Sequence, residues 1–196
     1  MATRLGSAIS ESDLREIVAD FTKPRSEFDG KSYVTRRREW FDKPIQSIRP
    51  LLMKDSLPKL SEDDAMKIYK EMSVGGPKLY PKTYCENGIQ KIRSALGYLL
   101  YGEEPVNERF YNFAGNPESD YRLSGVGRAF ASTALFLLDH REFAIWNSAV
   151  DGGLESLGLM PVLAGSAHLG DRYCMILAAM KGLMRVRRFE FGRRVC

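Results

Sequence analysis

A glycine-bounded turn in the second half of the chain has the composition of a phosphate-binding site. It lies in the segment Leu123-Ser124-Gly125-Val126-Gly127-Arg128, just before an apolar stretch. Glycine tolerates positive φ and lets another backbone come close. The free amides at the start of the following helix can then hold an anion, which the helix dipole also favours. The sequence therefore predicts a phosphate contact at Ser124, Gly125, Val126, Gly127 and Arg128.

A second group of residues with chemical potential follows the predicted helix. Trp146 offers a face that can stack on an extruded base, a contact that contributes roughly 1–3 kcal/mol per base, and core packing is its alternative. Asn147 can form paired hydrogen bonds to an adenine-like edge, or it can cap the helix that starts at Ser148. Asp151 is the nearest carboxylate to Asn147, and its alternative role is a reciprocal cap with Ser148. Trp146, Asn147 and Asp151 therefore form a candidate functional group.

The order and spacing of these features resemble the helix-hairpin-helix DNA glycosylase superfamily. The shared features are the pattern L-x-G-V-G-x-x-x-A from Leu123 to Ala131, an apolar helix, and a polar residue twenty-four positions after the leucine. That residue is Asn147, and the helix it opens ends in Leu157-Gly158. The resemblance covers roughly residues 105–160. It implies a two-lobed helical fold that binds duplex DNA and reads a damaged or modified base. On this resemblance Trp146 and Asn147 are the predicted base pocket, and Asp151 is the candidate catalytic acid.

Departures from the family pattern predict that base excision is weak or absent. In the bifunctional branch a lysine two residues after GVG attacks the sugar, and Ala129 stands at that position. The family's catalytic aspartate is replaced by Asn147, which is neutral, so Asn147 is catalytic in position only. Loss of a positioned acid–base group slows a reaction by about 10²–10⁴-fold. The electrostatic stabilisation of the charged transition state is lost as well. Gly152 replaces the family arginine that follows the valine of this helix.

These observations leave three functions open. The first is a DNA-binding protein that grips the phosphate backbone and reads a base without efficient excision. The second is an active DNA N-glycosylase in which Asp151 replaces the missing carboxylate. The third is a helical protein–protein interaction module in which GVG is only a helix junction. We expect no cofactor and no metal ion, and either of the first two functions would serve DNA repair or defence.

Positive charge is concentrated at the C-terminal end of the sequence. Residues 181–196 contain six basic residues and one acidic residue, a net charge of +5, whereas the whole chain of 196 residues carries +4. A second basic cluster occupies residues 36–38. Concentrated positive charge suits a phosphate backbone because neutralised phosphates release condensed counterions, although solvated surface is the ordinary alternative. The predicted DNA contacts at this end are Arg187, Arg188, Arg193 and Arg194.

Composition argues against several other classes of protein. The charged fraction is 28%, and no run of roughly eighteen uncharged apolar residues is present, so we expect no membrane association. The N-terminus lacks the apolar block of a secretory signal. Cys85, Cys174 and Cys196 are widely spaced and form no metal-binding pattern. Reduced thiols favour a cytoplasmic location, which in a bacterium includes association with the nucleoid.

The elements that must position these residues are predicted to be helical. Apolar residues recur at helical spacing, and no stretch alternates with period two, so we expect an all-α protein. A single domain over 1–196 is expected to comprise an N-terminal helical part (1–104), a helix-hairpin-helix core (105–160) and a C-terminal helix with a basic tail (161–196). Ser61 and Asp64 predict a capping box. The region around Pro81 is expected to be irregular. Helices are predicted over residues 13–21, around 36–52, and over residues 61–72, 89–101, 105–113, 127–138, 148–157 and 167–184.

Overall fold

The described part of the chain is helical throughout. The structure, a computed structural model, describes residues 45–72, 80–162, 165 and 167–191, together with positions 10, 12, 13, 16, 19 and 42. Side chains from residue 184 onward lie outside this set. Every regular element within it is a helix. The all-α prediction is therefore confirmed for the residues that the structure describes.

The described helices are joined by connections of different lengths, the longest being residues 115–127. Large parts of the helices predicted over residues 13–21 and around 36–52 lie outside the described residues. Two 3-10 helices come first, Arg49–Leu52 and Leu57–Lys59. The α-helices that follow are α1 (Glu62–Met72), α2 (Pro81–Cys85), α3 (Ile89–Tyr101), α4 (Val106–Ala114), α5 (Arg128–Leu138), α6 (Ser148–Ser156) and α7 (Leu169–Phe191). The bounds of α1 and α3 to α6 lie within one residue of the predicted ones. The last helix, α7, continues seven residues beyond its predicted end.

The segment around Pro81 forms α2, so the expectation of an irregular chain there is wrong. Pro81 occupies the first turn, where its fixed φ suits a helix and its missing N–H is not needed. Tyr84 is fully buried and stacks on Tyr69 of α1, with the ring centroids 4.9 Å apart. This contact between distant residues stabilises a helix that local sequence alone does not predict.

The buried residues form one hydrophobic cluster, and α5 lies within it. Residues 130–135 and 137 of α5 are buried, because its sequence is apolar around most of its circumference. Phe110 and Phe113 of α4 and Leu96 of α3 are fully buried in the same cluster. Ser132 and Thr133 are buried polar residues of α5, and both hydroxyl groups donate to the backbone carbonyl of residue 129. Their polar atoms are thus satisfied within the helix.

The most extensive helix pair is α4 with α7. The two backbones come closest at Gly170, where a Cβ would lie 1.8 Å from the carbonyl oxygen of Asn107. Asn107 also donates a hydrogen bond to Asp171 at 3.0 Å. The His168 ring accepts at Nδ1 from the amides of Gly170 and Asp171, at 3.1 and 3.2 Å, and so caps the start of α7.

Several arginines are bound to backbone carbonyl groups inside the fold. Arg109 donates to the carbonyl of Leu99 in the last turns of α3, at 2.5 Å. Arg122 donates to the carbonyl of Ala114, the last residue of α4. Arg93 binds a backbone carbonyl with two of its nitrogens. Burial lowers the pKa of both Arg109 and Arg122. These three arginines thus donate hydrogen bonds to carbonyl groups at or near the ends of helices.

Candidate functional site

The glycine-bounded turn packs tightly against α2. Gly125 has φ of 82°, a left-handed conformation that favours glycine. A Cβ at this position would lie 3.0 Å from the Tyr84 backbone nitrogen and 3.1 Å from the Tyr80 carbonyl oxygen. Glycine is therefore required twice, for its backbone angle and for the close approach of α2. Leu123, just before the turn, is fully buried and anchors it in the core.

Asn87, a residue that the sequence pattern did not single out, connects the turn to α2. Its Nδ2 donates to the Ser124 carbonyl at 3.0 Å, and its Oδ1 accepts from the Ser124 N–H at 2.9 Å. The same Nδ2 donates to the carbonyls of Thr83 and Tyr84. In the sequence, Asn87-Gly88 indicates only a local turn and carries no sign of a contact 37 residues away.

The amides that follow the turn have no protein partner. Among the described residues, the N–H groups of residues 125–129 donate to no other group. Ser124 and Ala129 are exposed, and residues 125–128 are partly exposed. Gly127 is extended, and a Cβ there would meet nothing within 4 Å. Unpaired amides thus lie at the positive end of α5, which is the arrangement that binds an anion.

The frame that holds this turn differs from a short helical hairpin. α4 ends at Ala114, so residues 115–127 connect it to α5. Two antiparallel helices in a hairpin are usually joined by about two to five residues. The element packed directly against Gly125 is α2, which lies outside the predicted core of residues 105–160. The turn is therefore positioned by α2 and Asn87 rather than by the helix that precedes it in the chain.

Arg128, which the sequence assigns to a phosphate, makes two contacts within the protein, and its side chain is 34% exposed. Its Nη2 lies 2.5 Å from Oδ2 of Asp151. Its guanidinium carbon lies 4.6 Å from the centroid of the Trp146 ring. The Arg128 guanidinium group, which the sequence pattern assigned to a phosphate, thus makes an ion pair and a cation–π contact within the protein. A phosphate contact of the Arg128 side chain stays a prediction, and it would have to compete with these two contacts.

Asp151 joins Arg128 and Trp146 into one cluster. Its Oδ1 accepts from the Trp146 indole nitrogen at 2.7 Å, while Oδ2 binds Arg128. The expected reciprocal cap between Ser148 and Asp151 is wrong, because the residue that caps α6 is Asn147. The carboxylate is turned toward Arg128 and Trp146 instead of toward the start of its own helix.

Asn147 is the N-cap of α6. Its Oδ1 accepts a hydrogen bond from the Val150 amide at 3.1 Å, and its backbone is extended. The capping interpretation is therefore confirmed. A cavity lies beside Asp151, and Asn147 is not among the residues that line it. Its predicted contact with a base stays a prediction.

Trp146 is a core residue whose edge borders that cavity. The residue is 1% exposed, and its ring packs near Phe110 and Tyr173, with centroid distances of 6.1 and 6.3 Å. Its backbone N–H donates to the Ser132 hydroxyl of α5 at 2.8 Å, which fixes the connector before α6. No ring face is open for an extruded base, so the packing alternative describes Trp146 in this structure.

A cavity of about 120 Å³ lies between the start of α5, α6 and α7. Its charged lining consists of Arg128, Asp151, Glu155 and Arg172. Its remaining lining consists of Trp146, Met160, Pro161 and Ile176. Pockets for drug-sized ligands measure roughly 300–1,000 Å³, so this cavity suits a smaller group. Glu155, Met160 and Arg172 carried no signal in the sequence, because they come from different elements.

The basic residues predicted to widen a DNA contact lie at the end of α7 and beyond it. Arg187 and Arg188 belong to α7, but their side chains are outside the described set. Arg193 and Arg194 lie outside the described residues. A further basic residue lies nearer the turn: Lys82 belongs to α2, which contacts the turn, and its side chain is 90% exposed.

The described residues contain neither a metal-binding cluster nor a membrane-spanning element. No three His, Cys, Asp or Glu side chains in that part lie close enough together to hold a metal ion. None of its helices combines the length and apolarity needed to cross a membrane. Comparison of the chain with protein-family models, curated proteins and solved structures finds no match.

Proposed function

We propose that this protein binds duplex DNA through the phosphate backbone and does not excise bases efficiently. The observation that carries the proposal is the turn held against α2, with Gly125 in its left-handed conformation and unpaired amides after it. Amides at a helix start bind phosphate without a charged side chain. Such a contact is compatible with the engagement of Arg128 by Asp151.

The resemblance to helix-hairpin-helix DNA glycosylases supports DNA as the source of the phosphate. It rests on the spacing from Leu123 through Asn147 to Leu157-Gly158. The role of Asn147 as a neutral helix cap supports binding without efficient excision. The positive charge of residues 181–196 would add contacts to neighbouring phosphates.

The phosphate contact is tested by Gly127→Asp, with Gly127→Ala as the matched control. Position 127 has open space and an extended backbone, and aspartate is a favourable N-cap, so the fold is retained. The new carboxylate would accept hydrogen bonds from the amides at the start of α5. It would also repel anions from them. We expect the affinity for duplex DNA, measured by fluorescence anisotropy, to fall by about tenfold or more, since like charges repel strongly across an interface. Gly127→Ala should retain the affinity.

Two results would contradict DNA binding. One is an affinity that does not change with salt concentration, because phosphate contacts release counterions. The other is an affinity that Gly127→Asp leaves unchanged while circular dichroism shows an intact fold. Failure to bind any nucleic acid would favour the protein–protein interaction module.

One observation favours a second function, an N-glycosylase that uses Asp151. Asp151, unlike Asn147, contributes a carboxylate to the cavity lining. A carboxylate there would stabilise positive charge that develops on the sugar as the base leaves. The opposing observation is that both of its oxygens already accept hydrogen bonds, from Arg128 and Trp146.

The two functions are separated by a cleavage assay with a matched pair of variants. Oligonucleotides with damaged or modified bases are incubated with the protein and then treated with alkali. Asp151→Asn and Arg128→Gln both remove the same ion pair, but only the first removes the carboxylate. Strand breaks that disappear in Asp151→Asn and persist in Arg128→Gln would establish the enzyme. An absence of breaks with the unaltered protein is the result expected for binding alone.

A further inference from the structure

Two charged side chains that line the cavity beside Asp151, those of Glu155 and Arg172, are exposed and have no protein partner among the described residues. Glu155 follows Asp151 by four residues, which places the two carboxylates on one face of α6, with Cβ atoms about 5–6 Å apart. Arg172 contributes a guanidinium group from α7. Neither Glu155 nor Arg172 makes a side-chain hydrogen bond or ion pair among the described residues. The cavity therefore has a free acceptor and a free donor.

Asp151 adds further acceptor capacity. An ionised carboxylate has about four lone-pair positions. Hydrogen bonds from Arg128 and Trp146 occupy two of them. The side chain of Asp151 is 21% exposed, so a ligand in the cavity can reach it. Two helices thus present acceptors and a donor to the same small space.

The charges of the lining balance, with two arginines against two carboxylates. A ligand with a large net charge would face charged lining groups of its own sign. The complementary group is therefore neutral and polar. It must offer N–H donors to the carboxylates and a carbonyl acceptor to Arg172. The volume of about 120 Å³ admits a ring edge rather than a whole nucleotide.

We propose that this cavity recognises a nucleobase edge that carries both an amino group and a ring carbonyl, as in guanine, cytosine and their modified forms. This proposal rests on the DNA binding proposed above. Carboxylates accept from the amino group of cytosine, and arginine donates to the carbonyl of guanine. Thymine and uracil have no amino group, and adenine has no carbonyl. The cavity therefore selects against these three bases.

The Trp146 indole N–H reports on the cavity, because it donates to Asp151 at the cavity wall. In the ¹⁵N-labelled full chain its resonance is identified by comparison with Trp40→Phe, since the chain has two tryptophans. Deoxyguanosine is titrated against deoxyinosine, and deoxycytidine against deoxyuridine. Deoxyinosine lacks the amino group of deoxyguanosine, and deoxyuridine has a carbonyl oxygen in place of the amino group of deoxycytidine. We expect binding of the first member of each pair to be about tenfold tighter, as for a well-placed base contact.

Glu155→Gln tests the acceptor, with Glu118→Gln as an exposed control that changes charge equally outside the cavity. The preference for the amino group should disappear in Glu155→Gln and persist in Glu118→Gln. Equal affinity within both nucleoside pairs, absence of a saturable shift with all four, or a preference that survives Glu155→Gln would each overturn the proposal. Nucleosides carry no phosphate, so these outcomes leave the Gly127-dependent contact with DNA standing. Loss of that contact is detected separately by the salt dependence of duplex affinity.

Discussion

Arg128 illustrates, at the scale of single residues, how one contact redirects the chemistry of a site. A cation directly after a glycine turn is well placed for a phosphate. In the fold its guanidinium group instead lies over Trp146 and against Asp151. The proposed phosphate contact therefore depends on backbone N–H groups, whose direction depends on the conformation of the turn. That conformation depends in turn on Gly125.

Replacement of Gly125 by alanine is expected to destabilise the protein by about 2 kcal/mol. The left-handed conformation alone costs an L-residue roughly 1–2 kcal/mol. The added Cβ would also press against the α2 backbone at 3.0–3.1 Å. Gly127→Ala is the control, since its Cβ meets nothing, and it should lose at most about 1 kcal/mol as a poorer N-cap. Urea unfolding measures both values, and equal losses would show that the turn does not constrain residue 125.

At the scale of elements, the close contact of α4 with α7 depends on one missing side chain. Gly170→Ala would place a Cβ 1.8 Å from the Asn107 carbonyl oxygen, so the helices would have to separate. Such overpacking typically costs about 1–3 kcal/mol, and a backbone obstacle places this variant at the upper end. Gly182→Ala in the same helix meets nothing within 4 Å and should be neutral or stabilising. Thermal unfolding compares the two, and a neutral Gly170→Ala would contradict the packing described.

The capping box of α1 gives a pH-dependent prediction. Ser61 N–H donates to Asp64 Oδ2 at 3.0 Å, and the Asp64 amide donates to Ser61 Oγ at 3.1 Å, as predicted from their spacing. Hydrogen bonds from the Ser61 backbone and hydroxyl lower the pKa of Asp64 below its ordinary value of 3.8. Because the pKa is lower in the folded state, the carboxylate stabilises the fold above pH 3.8. That stabilisation is lost as the pH falls through the folded-state pKa.

Asp64→Asn should therefore be less stable than the unaltered protein at pH 7, by less than about 1 kcal/mol because the pair is exposed. The difference should shrink as the pH falls below 3.8. Urea unfolding across this range measures it. Asp63→Asn removes a neighbouring charge outside the capping box and is the control. A difference specific to Asp64→Asn that stays constant with pH would contradict the assignment.

At the scale of the whole molecule, two groups of arginines differ in their surroundings. Arg93, Arg109 and Arg122 are bound to backbone carbonyls within the fold. The C-terminal arginines belong to a segment whose net charge of +5 exceeds the +4 of the entire chain. The excess positive charge of the chain is thus concentrated at one end of the sequence.

This division predicts opposite effects for two kinds of arginine substitution. Arg193→Gln combined with Arg194→Gln should reduce the salt dependence of duplex affinity by up to about two units of slope, since each phosphate contact contributes about 0.9. Arg122→Gln should leave that slope unchanged and lower the free energy of unfolding by about 1–3 kcal/mol, because a carbonyl at the end of α4 loses its donor. Anisotropy titrations and urea unfolding measure the two effects. A reduced slope in Arg122→Gln would contradict the division.

By itself, the sequence determined the helices α1 and α3 to α6 and the position of the glycine turn. Those features depend on apolar spacing and caps within about four residues, as for Ser61 with Asp64 and for Asn147. Only the tertiary structure decided that α2 forms and contacts Gly125, and that Asn87 binds Ser124 across 37 residues. It also decided which groups share the cavity. A hydrogen bond or ion pair between distant residues depends on how whole helices pack, and local pattern does not encode that packing.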